Sequence, residues 1–186
     1  MGVMMMDVTT FYDNMASQYA YIFADWQASV RRQSGILKTL LVQHGIEPPA
    51  TVLDCTCGIG NQAFGLALAG YAVNATDLSP RAIKEAQARI PAFDLAHPPQ
   101  FAVADLLNPP DRPTTHDAVI AFDNAIAHFM DDDDLLRAIQ TMILQAQTGS
   151  LIAMSIRDYD AIIQNPPTVT PISIRGTVQP TYPTMT

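Results

Sequence analysis

The sequence predicts an α/β fold, with a doubly wound and mostly parallel sheet that carries helices on both faces. The first observation is residues 51–60, Thr-Val-Leu-Asp-Cys-Thr-Cys-Gly-Ile-Gly, which have the pattern of a buried strand followed by a glycine turn. The second is the alternation of strand patterns and helix patterns from residue 51 to residue 156. Such alternation is typical of a parallel sheet whose strands are joined by crossover helices.

Two helices are predicted before the sheet. Aromatic residues recur through residues 11–23, and apolar residues recur at near-helical spacing through residues 26–43. Gly45 and the pair Pro48 and Pro49 end the second of these helices.

The remaining elements follow in alternation. Ser79 is a predicted N-cap with Pro80 at the first helical position, and Gly149 follows the last long helix. The predicted elements are strand 52–55, helix 61–69, strand 72–76, helix 80–90, strand 100–104, strand 117–122, helix 132–147 and strand 150–156.

These elements are predicted to form one domain. Its parts are an N-terminal helical lid (1–50), a core (51–164) and a tail rich in Pro and Thr (165–186). A chain of 186 residues, 48% of them hydrophobic, holds enough apolar material for a substantial core.

Composition excludes several classes of function. The formal net charge of −8 argues against unspecific binding to nucleic acid, whose phosphates would be repelled. The chain has no run of 18 apolar residues, so no membrane-spanning helix is expected. Its Met-rich start lacks the basic flank and apolar core of a signal peptide, which predicts a cytoplasmic protein without membrane partners.

A metal site is not expected. Cys55 and Cys57 are the only cysteines, and the four histidines are scattered along the chain. The acidic run 131–134 is predicted to cap a helix, where carboxylates oppose the helix dipole.

The glycine turn predicts a nucleoside ligand. Gly58 and Gly60 have no Cβ atoms, so a ligand can lie against the backbone. Asp77 ends the second predicted strand, 19 residues after Gly58, where its carboxylate can accept both hydroxyls of a ribose. Together they form the first half of a Rossmann-like nucleotide site.

Asp54 favours one nucleoside over another. Gly58 and Gly60, with Ala63, also satisfy a loose dinucleotide fingerprint, so an NAD(P)-dependent oxidoreductase stays as an alternative. Asp54, however, adds a negative charge that would repel a pyrophosphate and attract an ammonium group. The pattern Asp-x-x-x-Gly-x-Gly, with a second acid at the next strand end, resembles the class I S-adenosylmethionine-dependent methyltransferases.

The resemblance implies further contacts with S-adenosylmethionine. Asp105 ends the third strand, where enzymes of this class hold the adenine amino group, although Asp105 is equally suited to be a helix N-cap. Leu78 and Leu106 adjoin the two acids, and Asp123 ends the fourth strand. We count all three among the candidate cofactor-binding residues.

Two segments, 116–128 and 155–160, look like the corresponding parts of the glycine and sarcosine N-methyltransferases. This similarity implies that Arg157 grips the carboxylate of an amino-acid substrate, with Asn124 assisting. His128 follows the fourth strand, where residues lie beneath the transferred methyl, and is a further candidate, although a lone histidine is more often structural. The sequence departs from that family at Asp123 and Asp158, where the family has glycine and asparagine. Both changes add negative charge and leave room for a different amine.

The N-terminal lid resembles the corresponding part of the same enzymes. There an aromatic residue covers the sulfonium and an arginine holds the methionine carboxylate. Tyr21 and Arg31 are the candidates, with ordinary aromatic packing and a solvated charge as the alternative reading.

The expected function is therefore S-adenosylmethionine-dependent N-methylation of a small amine that bears a carboxylate, like glycine or sarcosine. The alternative is a truncated, non-catalytic module that binds the same cofactor. Enzymes of this class close their sheet with antiparallel strands, which we expect to be missing because five prolines lie in residues 165–186. The open edge of strand 150–156 would then be covered by the tail or by a second copy in a homodimer.

Overall fold

The computed structural model describes residues 7–165. Five parallel strands form one sheet in the order β3-β2-β1-β4-β5. The strands are β1 (Thr51–Asp54), β2 (Ala72–Asp77), β3 (Gln100–Val103), β4 (His116–Ala121) and β5 (Ala146–Met154). The helices are α1 (Val8–Met15), α2 (Trp26–Gln43), α3 (Asn61–Leu68), α4 (Pro80–Arg89), α5 (Asp132–Leu144) and α6 (Tyr159–Gln164).

The fold prediction is confirmed, because helices cover both faces of a parallel Rossmann-like sheet. On one face Leu41 of α2 and Leu66 of α3 pack against strand residues such as Val52. On the other face Ala138 and Met142 of α5 pack against β1 and β4. Within residues 7–165 no antiparallel strand joins the sheet. None of the helices in this part of the chain is long and apolar enough to cross a membrane.

The order of the strands fixes where a ligand can bind. β1 lies between β2 and β4. The chain continues from β1 to β2 and β3 on one side, and then crosses back to place β4 on the other side of β1. Crossovers that start from neighbouring strands and run in opposite directions leave a crevice outside the carboxyl ends of those strands. The carboxyl ends of β1, β2 and β4 are therefore the place to look for a site.

The aromatic segment before α2 is not the single helix that was predicted over residues 11–23. α1 ends at Met15, and a separate 3₁₀ turn spans Tyr19–Ile22. Tyr19 and Phe23 pack against the cluster of buried residues around Trp26. This packing turns the chain away from the axis of α1, so tertiary contacts override the local helical pattern.

Gly149 was predicted to follow the last long helix, and this prediction is wrong. α5 ends at Leu144, and Gly149 lies inside β5 with a φ of 85°. The pairing of β4 with β5 shifts register between His116 and Ala118, which indicates a bulge. Glycine supplies the positive φ at this irregularity, as it often does inside strands.

Candidate active site

A cavity of about 370 Å³ lies at the carboxyl ends of β1, β2 and β4, where the strand order predicts a crevice. The loops after these strands form its floor, and α1 forms part of its rim. Five carboxylates belong to its lining: Asp77, Asp105, Asp123, Asp131 and Asp134. Among the lining residues within the described part of the chain there is no lysine and no arginine. The cavity therefore favours a ligand that carries positive charge.

The glycine turn after β1 has the geometry that the sequence predicts. Gly58 and Gly60 have φ values of 52° and 95°, a region that favours glycine. A Cβ atom on Gly60 would come within 2.7 Å of the Phe64 ring. A Cβ atom on Gly58 would meet no atom within 4 Å, and Gly58 lines the cavity. Gly58 therefore leaves room for a ligand, as predicted. Gly60 is not part of the lining, contrary to the prediction, because its Cβ position faces the Phe64 ring.

Asp77 joins β2 to the glycine turn. Its Oδ2 accepts a hydrogen bond from the Gly58 N–H at 2.8 Å, and its Oδ1 accepts one from the Ser79 N–H at 2.9 Å. Burial raises the pKa of Asp77, although these two backbone hydrogen bonds act in the opposite direction. The carboxylate lines the cavity in a fixed orientation, with lone pairs left for ligand hydroxyls.

Asp54 does not line the cavity, contrary to the prediction that its charge acts on the ligand. It is 1% exposed and is not part of the lining. Burial raises its pKa to about 8, and its Oδ2 has no hydrogen-bond partner. Asp54 is thus a largely protonated acid behind the cavity wall at neutral pH, rather than a negative charge that meets the ligand.

Asp105 and Leu106 line the cavity after β3, and Leu78 lines it after β2. The Asp105 carboxylate accepts hydrogen bonds from the Leu107 N–H at 2.9 Å and from Asn108 Nδ2 at 2.7 Å. No helix begins at Asp105, so it caps a turn and not a helix. The contact between Asp105 and the adenine amino group stays a prediction.

The lid differs from the prediction in its residues. Tyr21 is 83% exposed, and neither Tyr21 nor Arg31 lines the cavity. Tyr12 and Tyr19 line it instead. Burial raises the pKa of Tyr19 to about 12. Two tyrosines of the predicted aromatic segment line the cavity, but the break after α1 changes which of its tyrosines do so.

Tyr12 connects α1 to the loop after β4. Its phenol oxygen lies 2.7 Å from His128 Nε2, and the two rings meet edge to face at 5.4 Å. Asp13, the next residue of α1, accepts hydrogen bonds from Ser79 Oγ at 2.5 Å and from the Arg81 N–H at 3.2 Å. α1 has no buried residue, so these polar contacts are its main attachment to the core.

Asn124 is placed outside the cavity lining. Its Nδ2 donates to the Tyr159 hydroxyl at 2.6 Å, and its Oδ1 accepts from the Arg157 N–H at 3.1 Å. Asp123 and Asn124 both have positive φ, at 57° and 70°. Asn124 therefore ties the chain after β5 to the turn after β4 and is a positioning residue in this structure.

Arg157 also lies outside the lining, although its charge reaches the site. Its electrostatic influence lowers the pKa of Tyr12 and of Tyr19, while burial raises both more strongly. Asp158 accepts a hydrogen bond from the Ala161 N–H and serves as the N-cap of α6.

The acidic run caps α5 as predicted. Asp131 Oδ1 accepts from the Asp134 N–H at 2.8 Å, and Asp134 forms an ion pair with Arg137. In residues 7–165 no three histidine, cysteine, aspartate or glutamate side chains form a group that could hold a metal ion.

The sequence profile of the methyltransferase domain family matches residues 52–146, which is more than half of the chain and includes both the glycine turn and Asp77. The chain belongs to this family. No curated protein sequence matches the chain at a significant level.

Solved structures of methyltransferases share the fold of this domain. An S-adenosylmethionine-dependent methyltransferase from Clostridium acetobutylicum is 21% identical in sequence, with a TM-score of 0.64. The match covers 83% of this chain and 61% of the Clostridium chain. Magnesium protoporphyrin IX methyltransferase from Synechocystis, solved with bound S-adenosylmethionine, is 22% identical with a TM-score of 0.61, covering 78% and 75%. The CcbJ methyltransferase from Streptomyces caelestis is 16% identical with a TM-score of 0.65, covering 80% and 58%. The chain thus spans about three fifths of the Clostridium and Streptomyces proteins.

Proposed function

We propose that this methyltransferase domain binds S-adenosylmethionine and transfers its methyl group to a small amine. The observation that carries the proposal is the Asp77 carboxylate, which the Gly58 and Ser79 amides orient at the carboxyl end of β2. A carboxylate in this place accepts the two hydroxyls of a ribose. The acidic lining suits a ligand with a sulfonium and an ammonium group.

Buried polar atoms without partners support the fit of this cofactor. Thr56 Oγ1 and Asn61 Nδ2 are buried, belong to residues that line the cavity, and have no hydrogen-bond partner. Unpaired buried polar atoms are costly, at about 1–3 kcal/mol each, and are rare in native structures. A polar ligand, or water that accompanies it, would supply the missing partners.

Six lining residues have assigned roles in this proposal. Asp77 holds the ribose, and Asp105 with Leu106 and Leu78 holds the adenine. Tyr12 and Tyr19 line the cavity, and their aromatic faces would stabilise the sulfonium, an attraction of up to about 2 kcal/mol when it is desolvated. This assignment replaces Tyr21, whose side chain is exposed to solvent.

The acceptor end of the cavity is proposed to lie beside His128. The bound cofactor supplies an activated methyl group, which the amine nitrogen takes with its lone pair as the carbon–sulfur bond breaks. In the tautomer whose Nε2–H donates to the Tyr12 oxygen, the other ring nitrogen of His128, Nδ1, keeps a lone pair that can receive the amine proton. The main contribution of the protein is alignment, which is worth about 7–11 kcal/mol in well-oriented reactions.

We further propose that the amine bears a carboxylate, as glycine and sarcosine do, and that Arg157 binds it. Two observations support this role. The Arg157 backbone is tied to Asn124, and its charge acts on both cavity tyrosines. A guanidinium can bind a carboxylate through two parallel hydrogen bonds. The acidic lining would at the same time attract the ammonium group of such a zwitterion.

The test is methyl transfer from isotope-labelled S-adenosylmethionine to paired amines. Glycine and sarcosine are compared with methylamine and ethanolamine, which lack a carboxylate. We expect label in the carboxylate-bearing amines and little in their partners. Cofactor binding without transfer to any amine would favour the non-catalytic alternative. Transfer only to the amines without a carboxylate would remove the role of Arg157.

A further inference from the structure

The first residue of α3 contains an amide whose orientation is fixed by a tryptophan. Asn61 is 3% exposed and lines the cavity, directly after Gly60. Its Oδ1 accepts a hydrogen bond from the indole Nε1–H of Trp26, the first residue of α2. An indole nitrogen can only donate, so the Asn61 atom that faces it must be the oxygen. The amino group of Asn61 therefore lies on the other side of the amide.

That amino group has no hydrogen-bond partner, although it is buried. Trp26 cannot easily move to change this, because its ring packs edge to face against Phe64 and Phe93, and Arg89 lies 5.4 Å from its centre. A buried donor that stays unpaired is destabilising, so a ligand that provides an acceptor would bind more tightly.

The start of α3 offers further donors. Its N-cap is Gly60, which has no side chain to accept hydrogen bonds from the first amides of the helix. Uncapped helix amides and the helix dipole both favour a negatively charged group. The unpaired Asn61 amino group and the uncapped helix start thus point to the same kind of ligand group, an anion.

The proposed cofactor carries one anionic group, the carboxylate of its methionine part. This carboxylate has to be held in a cavity lined by five aspartates, with no lysine or arginine among the described lining residues. Arg31, the residue expected for this task, is not part of the lining. The donors among the described lining residues are therefore neutral, and Asn61 has a fixed and unused amino group.

We infer that Asn61 binds the amino-acid carboxylate of the cofactor through Nδ2 and that Trp26 is the positioning residue that orients it. This inference rests on the proposed function, since it assigns one part of the same ligand. Asn61 contacts the ligand, whereas Trp26 acts through Asn61.

The test compares two ligands that differ in the part Asn61 is inferred to hold. S-adenosylhomocysteine contains the amino-acid carboxylate, and 5′-methylthioadenosine lacks the whole amino-acid group. Asn61→Leu should weaken binding of S-adenosylhomocysteine by roughly 10- to 100-fold and leave binding of 5′-methylthioadenosine within about twofold. Asn61→Asp should weaken the first ligand at least as much, because it places a carboxylate against a carboxylate.

Trp26 supplies a second readout, because it is the only tryptophan of the chain. Its fluorescence should change on addition of S-adenosylhomocysteine and respond less to 5′-methylthioadenosine. Trp26→Phe keeps an aromatic ring for packing but loses the N–H, and should selectively weaken S-adenosylhomocysteine. Unchanged 5′-methylthioadenosine binding shows that each variant is folded.

The outcomes separate the two proposals. If the wild-type protein binds neither ligand, the proposed cofactor is wrong, and this inference fails with it. If the wild-type protein binds both and Asn61→Leu or Asn61→Asp keeps their affinity ratio, the inference about Asn61 alone is wrong. An unchanged ratio includes equal weakening of both ligands, since a carboxylate contact affects only one of them.

Discussion

The phenol oxygen of Tyr12 and the Nε2 atom of His128 lie 2.7 Å apart, although 116 positions separate the two residues in sequence. This hydrogen bond joins α1 to the turn after β4, and both residues line the cavity. α1 contains no buried residue, so the attachment of this helix depends on polar contacts and not on a hydrophobic core. Elements attached in this way open at low free energy.

The first prediction concerns this contact. Tyr12→Phe removes the hydroxyl and keeps the ring, so α1 should open more often and binding of S-adenosylhomocysteine should weaken by roughly 5- to 10-fold, as expected for the loss of one hydrogen bond. Limited proteolysis should cleave α1 faster in the variant. Tyr21→Phe is the matched control, since Tyr21 is exposed and should change neither measurement. Equal behaviour of the two variants would show that α1 does not depend on His128.

Asp54 gives a prediction for stability against pH. Burial raises its pKa from 3.8 to about 8. Between these values the folded state holds a proton that the unfolded state releases. The stability that this proton provides is complete below about pH 4 and is lost progressively as pH rises to about 8.

Asp54→Asn replaces the protonated acid by a neutral amide of similar shape. Relative to the variant, the wild-type protein should therefore lose about 1.4 kcal/mol of unfolding free energy per pH unit within this window. Urea denaturation at pH 5 and pH 7 measures the difference. The exposed Asp111→Asn is the control and should follow the wild type. Parallel pH dependence of wild type and Asp54→Asn would mean that Asp54 is ionised in the folded protein.

Arg157 is predicted to act on the acceptor and not on the cofactor. Arg157→Lys keeps the charge but loses the paired hydrogen bonds of the guanidinium, so the KM for the amine should rise roughly 10-fold or more. The affinity for S-adenosylhomocysteine should stay near the wild-type value. Arg112→Lys, in an exposed loop, serves as the control. A KM for the amine that equals the wild-type value would exclude a carboxylate contact.

The sheet and the nucleoside half of the site could be predicted from the sequence because their signals are local. A strand, a glycine turn and an acid at the next strand end stand within 27 residues, at positions 51–77. Asp77, Gly58, Leu78, Asp105, Leu106, Asp123 and His128 all lie at the cavity.

The lid could not be predicted in the same way. Whether Tyr12, Tyr19 or Tyr21 faces the cavity depends on the turn after Met15, which packing against Trp26 determines. Trp26 reaches Asn61 across 35 positions, so no local pattern marks either residue as a partner of the other. The residue types alone predict only that Trp26 is a buried aromatic residue and that Asn61 lies at the start of a helix.

Asp54 and Asn124 show a different limit. Their place at strand ends suggested that both contact a ligand. The Asp54 side chain is instead buried behind the cavity wall, and the Asn124 side chain joins two loops by hydrogen bonds. A strand end fixes the position of the backbone. The direction of the side chain depends on the turn that follows, here with positive φ at Asp123 and Asn124.

The most direct test of the central claim is titration calorimetry with S-adenosylhomocysteine on wild type, Asp77→Asn and Asp77→Ala. We expect the wild type to bind S-adenosylhomocysteine and not NAD. Asp77→Ala should weaken binding by about 2–4 kcal/mol, since a charged acceptor of two hydroxyls is lost. The affinity of Asp77→Asn should lie between those of the wild type and Asp77→Ala. Thermal unfolding of the three proteins checks that the loss of the Gly58 and Ser79 contacts has not unfolded the domain. An unchanged dissociation constant in folded Asp77→Ala, or tighter binding of NAD by the wild type, would contradict this account of the site.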